Sequence, residues 1–207
     1  MKKTRKTYLA FLAVLLSPMA ANADTIAVSN STGGIVDASS ITQSVVVGSG
    51  GSITDINVTV DFSKCSSGAV LAGCEGTGFT FNSEIVFELT FMGTTVSLVS
   101  AGTFGGQSGD ANVQQTYDDA ASTAVGGDVL LSGTFSPVQA LSAFNGMNAA
   151  GTWDFLFRDT VGADPLVVRS WALDITTGAT SSVPEPGTLA LLGLGLIGMA
   201  ARRRKQV

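Results

Sequence analysis

Apolar and polar residues alternate along four stretches of this 207-residue chain, at 56–62, 85–91, 153–158 and 171–176. Successive side chains of a strand point to opposite faces, so a period of two with one apolar face indicates a half-buried β-strand. A further apolar pair, Val96 and Leu98, follows a turn predicted at Gly93 and Thr94. The pattern therefore predicts a series of short strands joined by turns.

Glycine-rich segments such as 48–51 separate these strands, and only 140–144 indicates a helical turn. Antiparallel strands with one buried face pack as two sheets, so we expect an all-β antiparallel β-sandwich over 41–177. Residues 24–40 have no strong period and are predicted to be a flexible leader or an edge strand, and 178–182 a linker. Trp153 and Trp171 lie in register with the apolar positions, which places both in the core.

The N-terminus has the three parts of a signal peptide. A basic segment at 2–6 precedes an apolar segment at 8–16, for which we expect a short helix, and Ala21 and Ala23 form a small-x-small cleavage site. The apolar segment is short for an uncleaved anchor. We therefore assign 1–23 to the signal peptide and expect the exported chain to begin at Asp24.

Removing the two ends changes the charge of the protein. Between 24 and 183, Lys64, Arg158 and Arg169 stand against fifteen Asp and Glu residues, a formal charge of −12. So acidic a body excludes nucleic-acid binding by counterion release and favours an extracellular protein that binds cations. Cys65 and Cys74 are exported to an oxidising compartment, so we expect a disulfide, worth about 2–3 kcal/mol for so short a loop.

The C-terminal segment 183–207 has its own order of parts. Val183, Pro184, Glu185 and Pro186 precede an apolar run at 188–201, and a basic cluster with Arg202, Arg203 and Arg204 follows it. A helix over the run spans roughly 21 Å, short of the roughly 30 Å hydrocarbon core. It would hold the inner membrane only transiently, as the signal peptide does, with the arginines on the cytoplasmic side. An ordinary tail anchor is the alternative.

This tail resembles the PEP-CTERM sorting signal of Gram-negative bacteria. The resemblance implies processing by an exosortase, export through the inner membrane, and release to the cell surface or extracellular matrix. Proteins with this signal accompany exopolysaccharide systems, which implies a biofilm role and a polysaccharide partner.

Several segments of the body occur in a familiar order, at 50–60, 89–98, 116–120, 135–137, 141–146, 151–153 and 170–173. Together they resemble the P domain, or Homo B, a jelly-roll module that follows the catalytic domain of proprotein convertases and some bacterial subtilisin-like proteases. The chain departs from that family at one place. It has no histidine, and 82–85 stands where the family has Gly-Asp-Leu.

Some P domains bind calcium at acidic positions, and the matching residues here are Glu84, Asp118, Asp119 and Asp159. Ca²⁺ takes six to eight oxygen ligands, so these carboxylates are candidate ligands, with solvated loop acids as the alternative. Calcium is the one cofactor that the sequence suggests. Tyr117 is interpreted as an exposed loop residue and a candidate for sugar stacking.

Catalysis has little support in the sequence. Without histidine a Ser-His-Asp triad is impossible, although the acids leave a carboxylate pair for glycoside hydrolysis open. The leading hypothesis is an exported non-catalytic β-sandwich, sorted by an exosortase, with a binding or structural role. The alternatives are an accessory P domain that associates with a separate subtilisin-like protease, and a carbohydrate-active enzyme.

Overall fold

The computed structural model describes residues 23–74, 78–109 and 111–178. The predicted signal-peptide helix with Ala21, most of the linker and the sorting segment lie outside the described residues. Within the described ranges no helix is long and apolar enough to cross a membrane.

The described residues are organised as short strands with two 3₁₀ turns, at Asn82–Glu84 and Leu141–Phe144. The strands are β1 (Asp24–Asn30), β2 (Gly34–Val36), β3 (Ser40–Val47), β4 (Ile53–Lys64), β5 (Ala69–Val70), β6 (Gly73–Cys74), β7 (Phe79–Phe81), β8 (Ile85–Phe91), β9 (Thr94–Val99), β10 (Gln107–Gly109), β11 (Ala111–Tyr117), β12 (Gly133–Phe135), β13 (Gly151–Asp159) and β14 (Leu166–Thr177).

Two main sheets contain most of these strands. In the first the order is β1-β14-β4-β11-β12, with β2 also paired to β14, and in the second it is β3-β13-β8-β9. Pairing within both is antiparallel except between β11 and β12. β7 pairs with β10 and β5 with β6 in separate two-stranded ladders. The predicted all-β antiparallel sandwich is confirmed.

The core lies between the two main sheets and is rich in aromatic rings. Phe87 of the second sheet makes edge-to-face contacts with Phe62 and Tyr117 of the first. Trp153 stacks on Phe91 with ring centroids 3.9 Å apart, and its indole N–H donates to the carbonyl of Ala149. Trp153 and Trp171 are buried, as the apolar register predicted.

The segment 24–40 forms β1 and β2, and β1 is the edge strand of the first sheet, in register with β14 from Asp24–Thr177 to Asn30–Trp171. At the far end of β4 the predicted disulfide is confirmed: Cys65 is bonded to Cys74, with the two Cα atoms 5.2 Å apart. The bridge joins the end of β4 to β6.

The interpretation of Tyr117 as an exposed loop residue was wrong. Tyr117 is the last residue of β11, fully buried, and its hydroxyl donates to Oε1 of Gln115 at 2.8 Å. The sequence pattern predicted no strand here, because the buried position two residues before Tyr117 holds a polar residue, Gln115, which interrupts the apolar alternation. That side chain stays satisfied by donating to the carbonyl of Leu131.

Candidate functional site: a buried lysine and three carboxylates

A charged cluster closes one end of the core. Lys64 is the last residue of β4 and lies on the same face as the buried Val60 and Phe62. Asp159 is the last residue of β13 and continues the buried positions of Phe155 and Phe157. Both side chains therefore enter the layer between the sheets, one from each sheet.

The ammonium of Lys64 is surrounded by acceptors. Nζ donates to Oδ2 of Asp159 at 2.7 Å and to Oε2 of Glu84 at 3.1 Å. It also donates to the backbone carbonyl of Asp164, whose carboxylate Oδ2 lies 3.4 Å away. The side chains of Lys64 and Asp159 are 0% exposed, and those of Glu84 and Asp164 are 11% and 6% exposed.

The backbone around the cluster fixes these groups. Glu84 ends the 3₁₀ turn that precedes β8, and its carbonyl accepts the N–H of Thr160, the residue after Asp159. Asp164 lies in the loop between β13 and β14, and its carboxylate accepts the N–H of Phe81. The N–H of Cys65 donates to the carbonyl of Pro165 at 3.0 Å. Three separate segments are thus tied to the end of β4.

Among the residues that the structure describes, the cluster holds one formal positive charge against three negative charges. Burial raises the pKa of Glu84 and of Asp159, and the nearby Lys64 ammonium opposes that rise only in part. Both carboxyls therefore hold a proton more readily in the fold than in water. Removing the Lys64 ammonium would leave buried carboxylates without compensation, which is strongly destabilising.

A surface pocket of about 510 Å³ opens beside the cluster. Glu84 and Asp164 form its acidic floor, and Phe79, Phe81 and Val161 are among its apolar lining residues. Phe79 and Phe81 lie on the same face of β7 and are 72% and 47% exposed. The pocket combines exposed aromatic rings with a negative floor, so its chemistry suits a ligand that is both apolar and positively charged.

The four candidate calcium ligands are divided between two places. Glu84 and Asp159 bind Lys64. Asp118 accepts the N–H of Ala120, and the two carboxylate oxygens of Asp119 accept the N–H groups of Leu141 and Ser142, each at 2.8 Å, which begins the second 3₁₀ turn.

The two pairs are well separated along the sandwich. Tyr117, next to Asp118, pairs with Val58, six residues from Lys64 along β4 and so roughly 20 Å away. Among the described residues, no group of three or more His, Cys, Asp or Glu is arranged to hold a metal ion. Calcium binding stays a prediction, and these residues do not form one ligand set.

The sequence reasoning missed Lys64 and Asp164 as members of a site. A signal for Lys64 was present, because the period of two that marks 56–62 as a strand extends to position 64 on the buried face. The same extension leads from Phe157 to Asp159. Asp164 carries no such signal, since it lies in a loop.

Comparison with known proteins identifies the C-terminal segment. Residues 182–205 match the model of the PEP-CTERM protein-sorting motif, which confirms the interpretation of the tail. The chain therefore carries a signal for export and sorting to the cell surface or exterior of Gram-negative bacteria. No curated protein matches the chain.

Several solved structures resemble the body at low identity. FLHE has 11% identity and a TM-score of 0.40, over 76% of this chain and 98% of its own. The serine protease of Aeromonas sobria has 12% identity and a TM-score of 0.38, over 74% of this chain and 27% of the protease. A structure of that protease with the chaperone ORF2 matches at 12% identity and a TM-score of 0.38, over 76% and 28%.

Proposed function

We propose that this protein is an exported, non-catalytic β-sandwich that an exosortase sorts to the cell surface or exopolysaccharide matrix, where it binds a matrix polymer. The observation that carries the sorting step is the motif at 182–205, at the end of a chain that begins with a signal-peptide pattern. The disulfide agrees with an oxidising destination.

Sorting is tested with the complete chain in a Gram-negative host that has an exosortase. We expect the wild type to lose its tail and reach the surface or the medium. A variant with Pro184→Ala, Glu185→Ala and Pro186→Ala should keep its tail and stay with the inner membrane. Gln206→Ala, outside the matched segment, is the control. Equal size and location of the triple variant and the wild type would contradict the proposal.

The binding role rests on the pocket beside Lys64. Exposed aromatic rings favour the apolar faces of sugar rings, and the acidic floor favours a positive charge. A polysaccharide with free amino groups has both features in each residue. We therefore propose that the ligand is a cationic amino-sugar polymer, attracted also by the formal charge of −12 on the body.

This binding is measured by titrating the exported protein with glucosamine oligosaccharides and with their N-acetylated forms. We expect the oligosaccharides with free amines to bind at least tenfold more tightly than the acetylated forms, and we expect added salt to weaken their binding. Phe79→Ala should reduce binding, whereas Met92→Ala, which removes an equally exposed apolar side chain from a turn elsewhere, should not. Equal affinity for the acetylated forms would exclude the role of charge.

A further inference from the structure

The closest pair of side chains in the lysine cluster is a potential nucleophile and a potential electrophile. Nζ of Lys64 lies 2.7 Å from Oδ2 of Asp159. Cγ is one C–O bond beyond that oxygen, so the nitrogen is close to the separation of roughly 3–3.5 Å that defines near-attack geometry. Both side chains are 0% exposed. An amine and a carboxyl group are thus held in contact, without bulk water between them.

A third group stands ready to move protons between them. Oε2 of Glu84 lies 3.1 Å from the same Nζ, and Glu84 is fixed next to Asp159 by the bond from Thr160 to its carbonyl. A carboxyl that exchanges its proton readily is suited to general acid–base work. The burial that raises the pKa of Asp159 favours its neutral form, which is the form that an amine attacks. The raised pKa of Glu84 makes its carboxylate a stronger base toward the ammonium proton.

We propose that Lys64 and Asp159 join in an intramolecular amide bond, formed by the folded protein itself with Glu84 as the proton carrier. Glu84 takes a proton from the Lys64 ammonium, and the free amine attacks Cγ of Asp159. A bond forms between Nζ and Cγ, and one Cγ–O bond breaks. The departing hydroxyl of the neutral Asp159 carboxyl takes one ammonium proton and leaves as water, a second ammonium proton stays on Glu84, and the third remains on the amide nitrogen. The products are one amide and one water, and no oxidant or co-substrate is needed.

The fold supplies what this condensation lacks in water. Ammonium and carboxylate groups that are separately dissolved in water do not condense, because both are charged and solvated. Holding the two groups together corresponds to effective molarities of about 10⁵–10⁸ M in well-oriented systems. The released water has a path out, since Glu84 also lines the surface pocket.

The bond would connect the two sheets of the sandwich. Lys64 ends β4 of the first sheet, and Asp159 ends β13 of the second. The disulfide begins at the next residue, Cys65, so two covalent links would close the same end of the core. This inference is independent of the polysaccharide ligand, because the acidic floor of Glu84 and Asp164 remains after the bond has formed.

Peptide mapping of the complete exported protein tests the proposal. The protein is denatured, reduced, alkylated and digested with trypsin, which cleaves after free lysine and arginine. We expect no cleavage after Lys64, and the peptide 159–169 joined to the peptide that contains Lys64. Because the same mass results when cleavage after Arg158 fails, the joined species is identified by a second N-terminus at Asp159 and by fragment ions that place the link between Lys64 and Asp159. Complete cleavage after Lys64 and a free 159–169 peptide would overturn the proposal without any variant.

Variants then assign the roles. Asp159→Ala should abolish the joined peptide, and its persistence would place the bond on another carboxyl, such as Asp164 in the same peptide. Glu84→Gln should strongly reduce its yield, and an unchanged yield would overturn the role of Glu84. Asp174→Ala, which removes an exposed carboxylate from β14, should leave the joined peptide as in the wild type.

Discussion

At the scale of single residues, the most consequential side chain is Lys64. Before the proposed amide forms, it is the one cation among the described residues that faces the three carboxylates, and it is fully buried. Lys64→Met keeps the volume but leaves those charges uncompensated, so we expect a loss of about 3–5 kcal/mol in the free energy of unfolding. Urea denaturation at neutral pH measures it. Arg158→Met, at an exposed position, is the matched control and should change stability by about 0.5 kcal/mol at most. Similar losses in both variants would contradict the special role of Lys64.

The pH dependence of stability should reflect Glu84. Burial raises the pKa of Glu84, so the folded protein binds this proton more tightly than the unfolded chain does. At pH values between the pKa of Glu84 in the unfolded chain and its higher pKa in the folded protein, folding takes up protons. Stability therefore falls as the pH rises through that interval. Glu84→Gln removes the titration. The stability of the wild type minus that of the variant should therefore decrease from about pH 4 to pH 7.

Denaturation at several pH values gives this difference for Glu84→Gln. Glu88→Gln, on β8 and away from Lys64, shows what the loss of a carboxylate does elsewhere in the same region. A difference that stays constant or increases with pH would show that the Glu84 carboxyl is not held in its neutral form by burial.

The sequence predicted the burial of a side chain only where the alternation of apolar and polar residues continued up to that position. Trp153 and Trp171 fit the apolar face, and both are buried. Lys64 and Tyr117 also occupy buried strand positions. Lys64 breaks the apolar pattern because it is charged, and the pattern before Tyr117 is broken by the polar Gln115. Their burial depends on partners that come from distant segments, Glu84 and Asp159 for Lys64, and no local pattern records such partners.

At the scale of elements, the hairpin of β8 and β9 offers a clean test. Phe91 pairs with Thr94, so Met92 and Gly93 form a two-residue turn, with φ of 48° and 82°. Such turns require positive φ at both positions, which favours glycine. Gly93→Ala meets no atom within 4 Å, so its expected cost of roughly 1–2 kcal/mol is backbone strain alone.

Gly48→Ala is the matched control for the hairpin. Gly48 also has open space around it, but its φ is not in the left-handed region. Urea denaturation of the two variants should show a loss only for Gly93→Ala. Equal stabilities would mean that the turn relaxes to another conformation.

The strands β4, β8, β13 and β14 were predictable because period two is visible over five or more of their residues. The strands β5, β6, β7, β10 and β12 have two or three residues each, too few to show any period. The parallel pairing of β11 with β12 was equally hidden, because it joins segments that a long connection separates. For 24–40 the sequence left a leader or an edge strand open, and pairing with β14, a partner far along the chain, forms β1.

At the scale of the whole molecule, substitutions of two phenylalanines, one buried and one exposed, test whether stability and ligand binding depend on different residues. The Phe87 ring contacts Phe62 and Tyr117 of the opposite sheet, and Phe155 and Phe157 of its own. Truncating it opens a cavity where the two sheets meet, so Phe87→Ala should cost about 3–5 kcal/mol in the free energy of unfolding. Phe79 is the same residue type in the opposite environment, 72% exposed at the pocket.

Phe79→Ala should therefore leave the free energy of unfolding, measured with urea, within about 0.5 kcal/mol of the wild type and still weaken binding of glucosamine oligosaccharides. Phe87→Leu, which keeps part of the ring volume, should be intermediate in stability and bind normally while folded. If Phe79→Ala destabilised the protein as much as Phe87→Ala, the exposed ring would belong to the core and the pocket would lose its proposed role. A stable Phe79→Ala variant with reduced affinity would instead show that the sandwich supports a binding surface that its own folding does not require.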